Sequence, residues 1–379
     1  MQQILEDAVT KYGVPGLSAS VILGDRIWTA VAGVRASTAP NRVENGDRFG
    51  SGSTTKAMTA TLAAILVERG VIRWDTTISD LFPKWSPTIR PEYRDVTIEQ
   101  LLQHRGGIIA DDDASEALIQ KIAAVRGTSR AARLALAPEV LKEPVPVSTG
   151  TFRYSNAGYA IAATMMEAAT GQSYERLMQR YIFNPLGMSS ATFDPPVSNP
   201  LRPKQPIGHL PDGTPAPGDQ APFAYLSKFL HPAGAELRMN SMDWSKFIQV
   251  HLGQKVNGVQ LLTSTSLRRL HLGVPIPDAG PDVGYAMGWV TVPAAVAGLD
   301  PSLGRVLTHD GSDGVWLSQV AALPDANIAI TIMANGTVDR NGTDLGAEAF
   351  VEIRNRLVAE VLRWKLPQTR SRIATPVHR

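Results

Sequence analysis

Apolar positions in this chain follow two periods, helical and alternating, and the two exchange places in a definite order. Residues 2–12 (QQILEDAVTKY) place apolar side chains at helical spacing and predict an amphipathic helix. Leu17 to Gly33 (LSASVILGDRIWTAVAG) alternates instead and breaks at Gly24-Asp25, the signature of a β-hairpin. A polar loop follows. Then FGSGSTTKAMTATLAAILVERG, Phe49 to Gly70, opens on a Gly/Ser turn and runs on as a helix. Ser53 stands at its N-cap position, and Met58, Leu62, Ile65 and Leu66 form its buried stripe. Alternation returns near the other end, in YAMGWVTV, GRVLTHDGS and VWLSQVAALPDANIAITIMANG, with Pro324 to Asn327 as a turn. Asp344 then caps a long amphipathic helix reaching about Trp364.

Between these strand-bearing ends the pattern is helical. Thr97–Gln103, Asp113–Val125, Ala157–Thr170 and Ser241–Leu252 are its clearest helices, and residues 195–222 hold nine prolines, a loop. No repeat of fixed period occurs. The simplest architecture is mixed α/β (α+β): one antiparallel sheet built from both ends of the chain, flanked by helices, with a mostly helical domain inserted. Residues 1–88 and 276–365 are expected to form the α/β domain, 89–275 the insertion, and 366–379 a loosely held tail.

Composition narrows the function classes. The 379 residues are 44% hydrophobic and 19% charged, with a net charge of +2 and no long basic run. That is an ordinary globular balance and argues against nucleic-acid or membrane-surface binding. There is no cysteine, so disulfides and thiolate chemistry are excluded. No apolar run is long enough to span a bilayer. The first residues lack the basic start and apolar core of a secretory signal, which sets the expectation of a cytoplasmic protein, or of a periplasmic or secreted one if the N-terminus was trimmed. No metal or cofactor is expected. The seven histidines show no H-x-x-x-H pair, and Asp111-Asp112-Asp113 reads as a helix start rather than a cation site.

The turn before the Phe49–Gly70 helix fails the phosphate-binding patterns: Thr55 precedes Lys56 where a P-loop needs Gly, and Thr55 also stands where a dinucleotide fingerprint needs its last Gly. The elbow G-x-S-x-G is absent. Ser53-Thr54-Thr55-Lys56 offers a different chemistry. Positions i and i+3 share a helix face, so Ser53 and Lys56 can touch. A lysine desolvated beside a serine loses its proton and becomes a base, and the helix N-terminus offers N–H groups to an oxyanion. Tyr154-Ser155-Asn156 precedes a second apolar helix; Tyr can relay a proton and Asn can hold a Lys ammonium or a carbonyl. Four histidines begin H-x-G. Those at 251 and 271 close helical segments and His104 reads as structural, whereas His309-Asp310-Gly311 ends a strand.

Ser-x-x-Lys, Tyr-x-Asn and His-x-Gly in this order, with LLQHRGGI, PLGMSSATF, GYAMGW and IMANG between and after them, resemble the serine β-lactamase and penicillin-binding-protein superfamily. The likeness is greatest to the group of class C β-lactamases, D-Ala-D-Ala carboxypeptidases, D-aminopeptidases and family VIII carboxylesterases, and reaches to about Trp364. The resemblance implies a β-lactamase/transpeptidase-like fold and an acyl-enzyme on Ser53. It implies that Lys56 and Tyr154 share the general-base and leaving-group acid work, that Asn156 positions Lys56 and substrate, and that His309 takes the place of the third-motif lysine. It places the oxyanion between the N–H groups of Ser53 and Ser312, beside Gly311.

The third motif departs from the family's Lys-Thr-Gly or His-Thr-Gly by carrying Asp310. A carboxylate there would repel carboxylate substrates. The expected activity is therefore a carboxylesterase on small neutral esters, with a D-Ala-D-Ala carboxypeptidase, D-aminopeptidase or class C-like β-lactamase as the alternative and a non-catalytic relative as a third. The expected partner is a small ester or amide substrate.

Overall fold

The computed structural model describes residues 1–193, 198–217, 227–340 and 343–365. The expected tail, and part of the expected proline-rich loop, lie outside them.

Both ends of the chain build one antiparallel sheet. Strands β1 (Gly16–Leu23), β2 (Arg26–Ala36) and β3 (Ala39–Arg42) come from one end; the short strands β4 (Phe49–Gly50) and β5 (Arg238–Met239) pair separately. From the other end come β6 (Val274–Pro275), β7 (Gly284–Ala286), β8 (Trp289–Pro293), β9 (Arg305–Ser312), β10 (Leu317–Leu323) and β11 (Ile328–Ala334). The nine-stranded order is β3-β2-β1-β11-β10-β9-β8-β7-β6, with β1 joined to β11 from Leu17 opposite Ala334 to Leu23 opposite Ile328. The predicted β1–β2 hairpin closes at Gly24-Asp25, where Gly24 takes the left-handed φ of 62° that a two-residue turn needs.

The two faces of this sheet differ in chemistry. One is aliphatic: Leu17, Ala19, Val21, Val306, Ala321 and Ile330 pack under the helices Gln2–Tyr12 and Leu345–Lys365, which add Leu5, Phe350, Ile353 and Leu357. As predicted, Asp344 caps the second helix, its Oδ1 accepting from Gly346 N at 2.9 Å and Ala347 N at 3.1 Å. The other face carries hydroxyls. Ser20 pairs with Thr331 at 2.6 Å and with Ser245 at 2.6 Å, and Ser18 with Ser241 at 2.5 Å. The helix Ser241–His251 thus lies directly on the sheet, although it belongs to the stretch between 89 and 275.

The helix Thr55–Glu68 is buried on every side from Thr55 to Leu66 rather than along one stripe. Ala57, Ala60, Ala63 and Ala64 let neighbours approach all round, so it runs through the middle of the core beside the helices Asn156–Thr170, Tyr174–Met178 and Ser264–Leu270. The predicted helix Asp113–Val125 is two elements: a 3₁₀ turn at Asp111–Asp113, then a helix Glu116–Ala124 capped by Ser115, which accepts from Leu118 N at 3.2 Å. Among the described residues no helix is long and apolar enough to cross a membrane.

Candidate active site

Ser53 does not cap its helix. It sits in a 3₁₀ turn, Gly52–Thr54, and the α-helix begins at Thr55. Neighbouring hydroxyls hold the turn: Thr54 Oγ1 donates to Ser51 O at 2.7 Å, Ser318 Oγ donates to the same oxygen at 2.6 Å, and Ser51 Oγ lies 2.7 Å from Thr55 Oγ1. Ser53 Oγ is thereby left to face Lys56 and Tyr154. Strand β9 comes unusually close. A Cβ at Gly52, which has φ of 48°, would lie 2.7 Å from Ser312 N, and one at Gly311 would lie 2.9 Å from Ser53 N. Only glycines at both places let the Ser53 turn and β9 approach this closely.

Lys56 is fully buried. Its Nζ donates to Ser53 Oγ at 2.9 Å, Asn156 Oδ1 at 2.6 Å and Ala233 O at 2.8 Å. Burial lowers this ammonium to about 7, partly opposed by the Asp111 charge. Deprotonated, the amine keeps two N–H groups for Asn156 and Ala233 and turns its lone pair toward the Ser53 hydroxyl. Tyr154 packs its ring 4.8 Å from Lys56 Nζ and hydrogen-bonds Ser53; burial raises its phenol well above the usual value, so it stays protonated.

Tyr154 and Asn156 flank a helix cap. Ser155 Oγ accepts from Gly158 N at 3.0 Å and donates to Ile109 O at 2.6 Å, fixing the start of the helix Asn156–Thr170. Ser155 N donates to His104 Nδ1 at 3.1 Å. His104 is therefore protonated on Nε2, which donates to Tyr285 Oη at 3.1 Å; Tyr285 donates on to His309 Nε2 at 3.2 Å, and His309 Nδ1 donates to Asp310 O at 2.6 Å. This directional chain, assigned from the partners, makes both imidazoles neutral. Burial and then the Lys56 charge lower both, His309 to about 4 and His104 well below its ordinary value. His309 thus brings no positive charge to the place where the resemblance puts a lysine.

Asp310 is not in the cavity. Along β9 side chains alternate faces; His309 and Gly311 point to the hydroxyl face and Asp310 to the aliphatic one. Its carboxylate accepts from Gln319 Nε2 at 2.9 Å and faces the charge of Arg354. The expectation that Asp310 contacts substrate and repels carboxylates is corrected by this parity.

Other groups stand there instead. Asn156 Nδ2 donates to Asp111 Oδ2 at 2.5 Å. A cavity of about 130 Å³ over Ser53 is walled by Asp111, Asn156, Leu230, Gly234, Ser312 and Asp313. Asp313 accepts from Val315 N at 3.2 Å and Trp316 N at 3.0 Å, and burial pushes its carboxyl up. Asp111, Ala233, His104 and Tyr285 carry no motif linking them to Ser53; only the landmarks LLQHRGGI and GYAMGW, which hold His104 and Tyr285, hinted at them.

The chain is similar to several known proteins. Penicillin-binding protein 4 of Amycolatopsis lactamdurans is 28% identical over 360 residues, covering 93% of this chain and 89% of its own. Unguisins hydrolase of Aspergillus violaceofuscus is 26% identical over 359 residues, covering 88% of this chain and 60% of its own. The structure of D-alanine carboxypeptidase AmpC from Burkholderia cenocepacia superposes with a TM-score of 0.71 at 20% identity, covering 95% of this chain and 97% of that one, a likeness of fold. The Beta-lactamase family model matches residues 1–351, and the chain belongs to that family of serine hydrolases.

Proposed function

We propose that this protein hydrolyses small carboxylic esters through an acyl-enzyme on Ser53. The observation that carries the reading is Lys56: a fully buried amine 2.9 Å from Ser53 Oγ, lowered to about 7 and so available as a base at neutral pH. In this reading Lys56 takes the Ser53 proton as Oγ attacks the carbonyl. The oxyanion forms against the N–H groups of Ser53 and Ser312. Tyr154, held protonated, donates to the leaving alkoxide, and water then releases the acid by the reverse route. Asn156 keeps Lys56 aimed at Ser53. Asp111 on the cavity wall disfavours a substrate carboxylate, the role first expected of Asp310, which supports neutral esters.

Amide hydrolysis is the second reading. It is favoured by the likeness along most of the chain to proteins named as a penicillin-binding protein and an unguisins hydrolase. Turnover of p-nitrophenyl acetate and butyrate by the wild type, lost in Ser53→Ala, with a serine-reactive phosphonate bound to Ser53 by mass spectrometry, tests the hydrolase reading. Phosphonate on another serine, or an undiminished Ser53→Ala, refutes it. Nitrocefin turnover faster than ester turnover would replace the ester by a cyclic amide.

A further inference from the structure

Besides Ser53, Lys56 Nζ rests on two acceptors, Asn156 Oδ1 at 2.6 Å and Ala233 O at 2.8 Å. They belong to different parts of the chain. Asn156 begins the helix Asn156–Thr170, and Ala233 ends a 3₁₀ turn, His231–Ala233. A neutral amine aims its lone pair by where its two N–H groups are held. The spacing between these two acceptors therefore decides whether the lone pair meets Ser53 Oγ.

A buried charge cluster ties the carriers of both acceptors together. Arg133, fully buried on the helix Ser129–Val140, donates through Nη2 to Glu167 Oε1 at 2.6 Å and to Glu175 Oε1 at 2.8 Å. Glu167 lies on the Asn156 helix, roughly 16 Å further along it at 1.5 Å per residue. Glu175 in turn accepts from His231 Nδ1 at 2.8 Å. One guanidinium thus joins the far end of the Asn156 helix to the first residue of the Ala233 turn. The middle of that turn is held by the Lys56 helix itself: Thr59 Oγ1 donates to Pro232 O at 2.7 Å. Its end abuts the nucleophile, for a Cβ at Gly234 would overlap Gly52 O. Such a cluster adds little net stability, because desolvation offsets the attraction; what it supplies is fixed direction. Burial pushes the Glu175 carboxyl up, and the His231 hydrogen bond and the Arg133 charge reverse this and hold it at about 2. The carboxylate therefore stays ionised throughout the range in which Lys56 titrates.

We propose that Arg133, Glu175 and His231 are positioning residues for Lys56: the cluster fixes the Ala233 carbonyl relative to Asn156 and so keeps the amine aimed at Ser53. None of the three touches the reacting atoms. The inference rests on the reading of Lys56 as base and adds what holds that base in place. The other titratable groups that face Lys56 are Asp111, Tyr154, Tyr159, His104 and His309. All stay in place when His231 or Glu175 is replaced, so a change in Lys56 titration reports the turn.

The test uses the whole protein and p-nitrophenyl butyrate, with active sites counted by phosphonate labelling of Ser53 so that kcat is per folded molecule. His231→Phe keeps a ring to stack on Phe193, 5.0 Å away, and leaves Glu175 its Arg133 partner, but removes the N–H. It should lower kcat about tenfold or more with KM within about threefold, since a misplacement near 1 Å is enough for such a loss. The midpoint of kcat/KM against pH should fall from about 7 by about half a unit or more, because a carbonyl acceptor favours the ammonium over the amine. His231→Asn returns an N–H near the Nδ1 position and should bring kcat back to within about threefold of wild type, with the wild-type midpoint. Glu175→Gln removes the charge from the same contact; it should act as His231→Phe does, and it carries the comparison if that variant does not fold. The inference is overturned by wild-type kcat and midpoint in His231→Phe or Glu175→Gln, by a midpoint that rises, as a site opened to water would show, or by His231→Asn as impaired as His231→Phe. A wild type that leaves the ester intact would overturn the hydrolase reading itself, and with it the base that this cluster positions.

Discussion

The two faces of the sheet are built to opposite rules. Under the helices Gln2–Tyr12 and Leu345–Lys365 the packing is aliphatic and non-directional: Leu17, Val21, Val306, Ile330 and Ile353 exclude water, and none of them depends on a particular hydrogen bond. The opposite face is buried just as well, yet Ser18, Ser20, Thr331, Ser245, Ser318 and His309 line it, each with a named partner. Aliphatic packing sets stability but tolerates small shifts. Satisfied buried hydroxyls are directional, and they hold the Ser53 turn, β9 and the helix Ser241–His251 in one register. His309 and Asp310, adjacent in sequence, fall on opposite sides of this divide, and so belong to different parts of the molecule.

The largest way to sharpen the contrast is on the hydroxyl face. Lys56→Ala and Tyr154→Phe should each lower kcat by about 10²-fold or more, the usual scale for general acid–base groups, with little change in thermal stability for Tyr154→Phe. Either enzyme turning over near the wild-type rate would remove that residue from the mechanism. On the aliphatic face the outcome should reverse. Ile353→Ala should cost about 2–5 kcal/mol in denaturant unfolding while kcat/KM per folded molecule stays near wild type. A matching fall in kcat/KM would show that the two faces are coupled.

Protonation of Lys56 gives intermediate effects. Its active form is neutral, so kcat/KM should rise with pH through about 7 and level off above it; a fall between pH 6 and 8 would contradict Lys56 as the base. Stability should follow a related course. Unfolded, Lys56 titrates near 10.5, and folded near 7, so between those values the unfolded chain binds more protons. The contribution of this group therefore rises with pH from about 7 to 10 and is flat below 7. Relative to Lys56→Met, wild type should gain up to about 1.4 kcal/mol per pH unit in that window, measured by urea unfolding at pH 7 and 9.5. An unchanging difference would mean that the buried amine stays charged.

The smallest expected effect is Asp310→Asn, which leaves the Gln319 contact an acceptor and should change kcat/KM for neutral and carboxylate-bearing substrates by less than about twofold. A selective gain for the carboxylate substrate would return Asp310 to the cavity.

Much of this protein was determined by sequence alone. Two hydrophobic periods placed strands at both ends of the chain and helices between, because burying an apolar set imposes a period of 2 or 3.6 on any sequence. Ser-x-x-Lys is local: three residues on one helix turn bring Ser53 and Lys56 together whatever surrounds them. The alternation of β9 sets Asp310 opposite His309, although the third-motif reading had put both at the substrate. What the tertiary structure decided are the contacts between distant segments. The path of the loop from His104 to Asp111 brings a carboxylate to Asn156, the turn at Ala233 supplies a carbonyl to Lys56, and Tyr285 joins His104 to His309. Burial of Lys56 was likewise undetermined locally, since the same Ser-x-x-Lys on an exposed helix would keep its proton. Desolvation is a property of everything packed around a group, and it turns this lysine from a surface cation into a candidate base.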